Sequence, residues 1–460
     1  MLTLRLADVA LWTRGTLRGA DVPLAGVFTD TRAANAGALF IALKGEQYDA
    51  HNFVGQARAG GAAAALVERP LAVDLPQVIV ADTLLALGDL ASAIRAQRGA
   101  RVVGITGSNG KTTVKTLLAS ILALHGKTHV NAGNLNNEVG LPLSLLALPE
   151  DAAYAVFEMG AGEPGDIAYL AAIARPEIGL VNNIAPAHLE RMGSLDGIAE
   201  TKGALYSALP AHGVAVINAD DAFAAQFLHM AGRRRVVRFG IDAGADVRAE
   251  QIADGATSTF VLRLPGTHSE IALPLAGRHN VMNALAAAAA AHALDVPIET
   301  IKRGLELAPA VKGRLQRHTL AGGWMLIDDS YNANPGSTAA AIDTLAAEPG
   351  EAWLVLGDMR ELGPQAVDLH AQAGALARER GIERLFTVGP LSAAAAAAFG
   401  PQAVHFADQA ALIEALAAAV KPGIRVLVKG SRGSAMEHVV RALLERAPAG
   451  ANGGGKRHAA

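Results

Sequence analysis

A lysine set behind closely spaced glycines is a site for phosphate chemistry, and the sequence carries one in RVVGITGSNGKTTVKTLLASIL, from Arg101 to Leu122. An apolar run enters a turn containing Gly107 and Gly110, and Lys111-Thr112-Thr113 then opens an amphipathic helix. Backbone N–H groups from Gly107, Ser108, Asn109 and Gly110, added to the helix N-terminus with Thr113 in its first turn, suit phosphate oxygens. Lys111 reaches the terminal phosphates, and the Thr112 hydroxyl is offered to Mg²⁺. The spacing departs from the strict G-x-x-x-x-G-K-[ST] pattern, because Ile105 stands where the first glycine belongs. The competing reading is a tight strand-to-helix turn with a surface lysine. It leaves the coincidence of strand, glycines, lysine and threonine unexplained.

A nucleotide loop needs an acid for its metal, and Glu158 ends the apolar run AYAVFE, at the carboxyl edge of the expected sheet. The alternative for Glu158 is a solvated carboxylate entering the loop MGAGEPGD. His188, in APAHLERMG, follows the next run, IGLVNNI, and belongs to the same edge. A lone histidine is usually no ligand, so position rather than residue type makes its case. Lys202, in AETKGALY, reads by pattern as an exposed helix lysine. Asn280 and Asn283 lie three apart at the start of the helix GRHNVMNALAAAAAAHAL, so their amides share a face. Two such amides can read one planar heterocycle, with helix capping by Asn280 as the rival. Lys312 and Arg314 follow in VKGRLQ, where an arginine can lean across a cleft onto a phosphate.

Further on, MLIDDSYNANPGSTAAAI gathers Asp328, Asp329, Tyr331, Asn332 and Asn334 between a strand-like run and a helix. Turn and cap chemistry explains some of these, but their density argues for a binding role as well. LVLGDMRELG and VLVKGSRGSAMEHVV also end strands in polar turns, bringing Asp358, Glu361, Lys429, Ser431 and Arg432 to one sheet edge.

The elements that must hold these residues fall into three regions. Residues 1–100 alternate short β-like runs, ALFIAL and AAAALVE among them, with turns and helices, a small α/β module. Residues 101–311 alternate apolar strands with helix-length segments, which predicts a mainly parallel sheet. Residues 312–447 repeat strand and alanine-rich helix, a second doubly wound, Rossmann-like pattern, and the Gly-rich 448–460 reads as a disordered tail. The 460 residues are enough for about three domains of ordinary size. With 40 Lys+Arg against 43 Asp+Glu, a formal charge of -3, no global basic field recruits nucleic acid, so any polyanion needs a local site. Cysteine is absent, which removes disulfides and thiolate chemistry and suits a reducing, cytoplasmic location. Arg5 and Asp8 interrupt the N-terminal apolar stretch, against an export signal, and the apolar alanine-rich segments fall short of the ~20 residues of a membrane span.

TGSNGKTT, NLNNEVG, EMGA, NNIAPAHLE, TKGALY, GRHNVMNALAA, VKGR, DDSYNANPGS and KGSRGSAMEHVV occur in the order found in the Mur ligases of peptidoglycan synthesis, and the chain resembles that family over nearly its whole length. The resemblance implies three α/β domains: a UDP-sugar domain, a central ATP-binding domain and a Rossmann-like ligase domain. DDSYNANPGS and KGSRGSAME look like the branch that joins D-alanyl-D-alanine to the tripeptide carboxylate of UDP-N-acetylmuramoyl-tripeptide, through an acyl phosphate, with ATP becoming ADP and phosphate. It implies ATP with two Mg²⁺ ions, the first on Thr112 and Glu158, the second on His188 and on Lys202 carbamylated at its amine. Asn280 or Asn283 is then expected near adenine, Asp329 and Asn332 around the nucleotide, and Lys111 and Arg314 at the phosphates. VFTDTRAANAGALFIALKGEQYDAHNF resembles the UDP-sugar domain, making Thr31, Arg32, Lys44, Gly45, Asp49 and His51 candidates around uridine or diphosphate. A monomer working by large interdomain closure is expected. The rivals are a sister ligase, folylpolyglutamate synthase-like or diaminopimelate-adding, and a P-loop switch that makes no bond.

Overall fold

The computed structural model describes residues 4–446 apart from 34, 46, 187, 188, 243 and 254. The stretch 448–460 expected to be disordered lies outside them. The first region forms a five-stranded sheet in the order Thr16–Arg18, Gln77–Ile79, Ala64–Val67, Leu39–Ile41, Val27–Phe28, parallel except for the first pair. AAAALVE supplies its central strand and ALFIAL a neighbour of it, and both are fully buried, as strands covered on both faces must be.

The helix Thr83–Ala96 joins this region to the next. Asp82 caps it through the amides of Leu84 and Leu85. Leu87, Leu90 and Ile94 pack into the first domain's core, which also takes Val139, Leu143 and Leu146 from the second region. Arg95 is buried and donates to the carbonyl of Ala174 at 2.9 Å. The first two domains therefore share a continuous apolar seam.

The middle region is a nine-stranded sheet. Its parallel part runs Thr128–Val130, Tyr154–Glu158, Arg101–Thr106, Ile178–Val181, Val214–Asn218, Arg235–Gly240 and Val247–Ala253. Two antiparallel strands, Ser258–Leu264 and Thr267–Leu273, extend it. Arg101–Thr106 lies between strands that follow it in sequence on both sides, so the chain reverses direction across the sheet there. A crevice forms at the carboxyl ends of such a switch point. The alanine-rich helix Arg278–Ala293 is buried on nearly all sides, against both the sheet and the helix Lys111–Ala123. Small side chains let it lie close to two surfaces at once.

The third region orders its strands Gln316–Thr319, Met325–Asp329, Ile424–Lys429, Glu351–Gly357, Arg384–Val388, Ala403–Phe406, all parallel after the first antiparallel pair. This doubly wound sheet again reverses its winding, with the last strand in sequence, Ile424–Lys429, inserted between Met325–Asp329 and Glu351–Gly357. Among the described residues no helix is long and apolar enough to cross a membrane.

Candidate functional site

Gly107 and Gly110 adopt φ of 143° and 78°, in the region open to glycine. A Cβ on Gly107 would meet the backbone nitrogens of Asn182 and Asn183 at 3.1 and 3.2 Å, and one on Gly110 would meet Asn283 Oδ1 at 2.3 Å. The turn is held by the next strand's loop: Ser108 N–H donates to Asn183 O at 2.8 Å, Asn109 N–H to Asn183 Oδ1 at 2.9 Å, and the Ser108 hydroxyl bonds the backbone of Ala185. Two amides expected to face phosphate are thus spent on scaffolding. Val114 N–H to Gly110 O, 2.9 Å, is the first bond of the helix, so the amides of Lys111, Thr112 and Thr113 precede the helical ladder and form the anion-binding end. Lys111 Nζ folds back onto Gly107 O at 2.7 Å, across the turn a phosphate would fill. Burial pushes its amine below the ordinary lysine range, Arg314 adds to that, and the Glu158 charge opposes it.

Glu158 ends the strand paired with Arg101–Thr106, the strand that leads into the phosphate loop, and is buried. Its Oε2 accepts from the Thr112 hydroxyl at 2.9 Å and its Oε1 from Asn136 Nδ2 at 2.8 Å. Lys115 Nζ stands 3.4 Å from Oε2. Burial raises the tendency of this carboxyl to hold a proton, but Lys111, Lys115, Asn136 and Thr112 outweigh it, and the group titrates below its ordinary range. Asn131 brackets Glu158 with two 3.0 Å bonds to its N–H and C=O. Sequence reasoning passed over Lys115, Asn131 and Asn136. A usable signal was there: Lys115 interrupts the apolar stripe that continues with Leu118 and Leu122 on its helix.

Lys202 corrects its expected surface placement. Its helix, Leu195–Ser207, turns that face into the protein, and Lys202 is 1% exposed. Burial, with the charge of Lys111, lowers its amine to about 7, against an opposing pull from Asp166. His188 lies outside the described residues.

The Asn280 and Asn283 amides are buried and joined in series. Asn280 Nδ2 donates to Ala276 O at 2.8 Å, Asn283 Nδ2 to Asn280 Oδ1 at 3.0 Å, and Asn182 Nδ2 to Asn283 Oδ1 at 2.8 Å. Gly277 occupies the cap position, so capping by Asn280 is not what its side chain does. In the third domain, Asp329 is tied on both oxygens, accepting from Leu315 N–H at 3.2 Å and Lys429 Nζ at 2.6 Å. Asn332 Oδ1 accepts from Arg432 N–H at 3.2 Å. Arg314 donates to the Thr112 hydroxyl at 3.1 Å while its guanidinium lies 4.5 Å from the Tyr331 ring centre. Asn334 both caps the helix Pro335–Ala346 and donates to Asn109 Oδ1 at 2.8 Å. The third domain thereby touches the phosphate loop directly. Asp358 and Ser431 turn away from this contact: Asp358 accepts from the amides of Leu391 and Ser392, and Ser431 N–H bonds Asp358 O.

The first-domain candidates do not join that cluster. His51 Nε2 accepts from Glu68 N–H at 2.8 Å, so its proton sits on Nδ1, which donates to Asp49 Oδ1 at 2.6 Å. Both ring nitrogens are consumed inside the fold, and Asp49, held by His51 and Arg69, is drawn down to about 2. Arg32 pairs with Asp30 on the surface at 2.6 Å, next to Thr31. Lys44 is exposed and bridges to Asp49 through the backbone, with Gly45 N–H bonding Tyr48 O.

A cavity of about 900 Å³ opens between the second and third domains, lined by Asn109, Lys111, Glu158, Arg314, Asp329 and Arg432 among others. A second, of about 390 Å³, adjoins it and shares His279, Met282 and Ala340. Such volumes take nucleotide-sized ligands.

Three family models match the chain in succession: Mur ligase family, catalytic domain, at residues 23–95; Mur ligase middle domain at 105–291; and Mur ligase, glutamate ligase domain, at 313–432. The UDP-N-acetylmuramoyl-tripeptide--D-alanyl-D-alanine ligase of Escherichia coli K12 is 48% identical, the alignment covering 97% of this chain and 99% of that one. A crystal structure of MurF from Acinetobacter baumannii superposes with a TM-score of 0.91 at 37% identity, over 97% of this chain and 100% of the other. The MurF ligase of Thermotoga maritima in complex with ADP gives 0.82 at 27% identity, over 92% and 97%. Matched from end to end in sequence and in fold, the chain belongs to the Mur ligase family.

Proposed function

We propose that the chain joins D-alanyl-D-alanine to the tripeptide carboxylate of UDP-N-acetylmuramoyl-tripeptide, converting ATP to ADP and phosphate. The observation that carries this reading is the interdomain cavity, where a phosphate loop on one domain faces Arg314 and the polar strand ends of another. A switch protein needs only the loop; a ligase needs a second wall to hold an acceptor.

A carboxylate is a poor acyl donor, so it must take the γ-phosphoryl group as an acyl phosphate before an amine can displace phosphate. Lys111 is placed to swing from Gly107 O onto the transferring phosphoryl group, with the amides of Lys111 to Thr113 on its oxygens. Arg314, steadied by Tyr331, supplies charge from the opposite wall. Thr112 and Glu158, two oxygen donors bonded at 2.9 Å, fit the hard-oxygen preference of Mg²⁺ and would hold a first ion. Bound there, Mg²⁺ neutralises phosphate charge. A lysine amine titrating near 7 is substantially unprotonated at neutral pH, the form that adds carbon dioxide, so Lys202 suits carbamylation. The carbamate with His188 would hold a second ion. The base enters the larger cavity beside Asn280 and Asn283, with Asp329 and Asn332 towards the ribose. Residues 1–100 hold the UDP moiety, with Thr31, Arg32, Lys44 and Gly45 at its surface; Asp49 and His51 shape that loop from inside. The proposed working form is a monomer, and the proposed setting is the cytoplasm, in keeping with a sequence without cysteine.

The test is phosphate release by purified protein with MgATP and both peptides, each omitted in turn, with the product weighed. Release that needs every component, with a UDP-pentapeptide formed, is expected. Release indifferent to the peptides would instead favour a P-loop switch, and activity with another acceptor would move the chain to a sister ligase.

A further inference from the structure

Lys115 is a buried lysine that the steps above do not use. It sits one turn after Lys111 on the phosphate-loop helix, on the same face. Its Nζ is pinned by two carbonyls, Asn131 O at 3.0 Å and Gly133 O at 3.1 Å, and stands 3.4 Å from Glu158 Oε2. It is 5% exposed and Glu158 is 3% exposed, so neither solvent nor salt screens the pair. Two carbonyls would be satisfied by any donor; the ammonium's position against the carboxylate needs another reason.

We propose that Lys115 is a positioning residue, a fixed counter-charge that holds Glu158 in place and keeps a divalent cation from settling on it until nucleotide phosphates arrive. The inference rests on the reading of Thr112 and Glu158 as metal donors. Without nucleotide, a dication approaching Glu158 meets a carboxylate already matched by Lys115, with the Lys111 ammonium opening the same helix. Its two positive charges gain little there. The phosphates of a nucleotide add several negative charges within the same space and reverse the balance. Lys115 cannot swing away, because both carbonyls belong to the loop that Asn131 ties to the Glu158 backbone. Metal and nucleotide then bind together, and an ion alone does not lock the loop in an unproductive state.

Mn²⁺ titrations followed by electron paramagnetic resonance test this in carbon dioxide-depleted buffer, with and without ADP. The parent chain is expected to bind Mn²⁺ weakly alone and tightly with ADP. Lys115→Gln keeps a donor for the carbonyls but drops the charge, and Lys115→Met drops both. Each is expected to bind Mn²⁺ without nucleotide about tenfold tighter or more. Combining Lys115→Gln with Glu158→Gln should abolish that gain. A purely structural lysine would leave Lys115→Gln like the parent and weaken Lys115→Met, and either result overturns the proposal. Equal binding by the parent with and without ADP, an arm needing no variant, also overturns it. Absence of Mn²⁺ binding even with ADP would remove the Thr112 and Glu158 metal site itself, a distinct failure.

Discussion

A buried amine that titrates near neutrality leaves a mark on stability as well as on chemistry. Lys202 falls from an ordinary value of 10.5 to about 7 in the fold. Between those pH values the unfolded chain holds a proton that the folded chain lacks, so stability rises with pH across that window and the penalty is full below 7. Lys202→Met removes the penalty. In carbon dioxide-depleted buffer the variant should melt above the parent at pH 6, the gap closing towards pH 10; equal melting curves throughout would refute the buried ammonium. Activity should vanish in the variant. Arg314 makes a second case, because one side chain donates to Thr112 and stacks on Tyr331. A lysine cannot do both. Arg314→Lys should lower kcat about 100-fold with an unchanged melting temperature, and a kcat within a factor of two of the parent would show that charge alone suffices.

At the scale of elements, the phosphate-loop helix must be held still while its N-terminus meets a mobile charge. It is clamped by the helices Arg278–Ala293 and Ile298–Glu306. The second approaches so closely that a Cβ on Gly304 would lie 2.4 Å from the Ile121 Cα, and Ser120 donates to Gly304 O at 2.7 Å. Alanine is the better helix former by about 1 kcal/mol. Gly304→Ala should nonetheless destabilise the protein by about 2 kcal/mol, because the clash is with backbone that has nowhere to go. Denaturant unfolding measures this, and a stabilised variant would mean that the helices sit further apart. The buried Arg95, bonded to Ala174 O, plays the same fixing role between the first and second domains.

For the whole molecule, the two domain junctions differ in kind. The first and second domains share apolar core across the helix Thr83–Ala96. The third meets the phosphate loop through Asn334 to Asn109 and Arg314 to Thr112, two polar contacts that water competes for, and also touches the second domain where Gly363–Gln365 meets the short helix Leu189–Met192. Bonds of that type are worth about 1 kcal/mol each net, too little to keep a domain closed without ligand. The third domain should therefore sample open positions in solution and close when nucleotide and UDP-tripeptide bridge the cleft. Small-angle scattering should show a smaller radius of gyration with both ligands bound. Superimposable profiles would mean a preformed site.

Local chemistry made part of this protein legible in one dimension. Parallel strands buried on both faces read as continuous apolar runs, so the runs through Arg101–Thr106 and Met325–Asp329 announced two doubly wound sheets, and the residues at their carboxyl ends had to share an edge. The phosphate loop was legible because its glycines, lysine and threonine are sequence neighbours. The antiparallel extension Ser258–Leu264 and Thr267–Leu273 carried no such distinctive run. Nor could sequence tell that Lys202 faces inward, that Asn183 consumes the amides of Ser108 and Asn109, or that His51 spends both nitrogens inside its own domain. Those outcomes depend on which surfaces meet. Burial, and with it the charge state of a lysine, is a property of what covers a side chain, and the covering residues lie tens to hundreds of positions away.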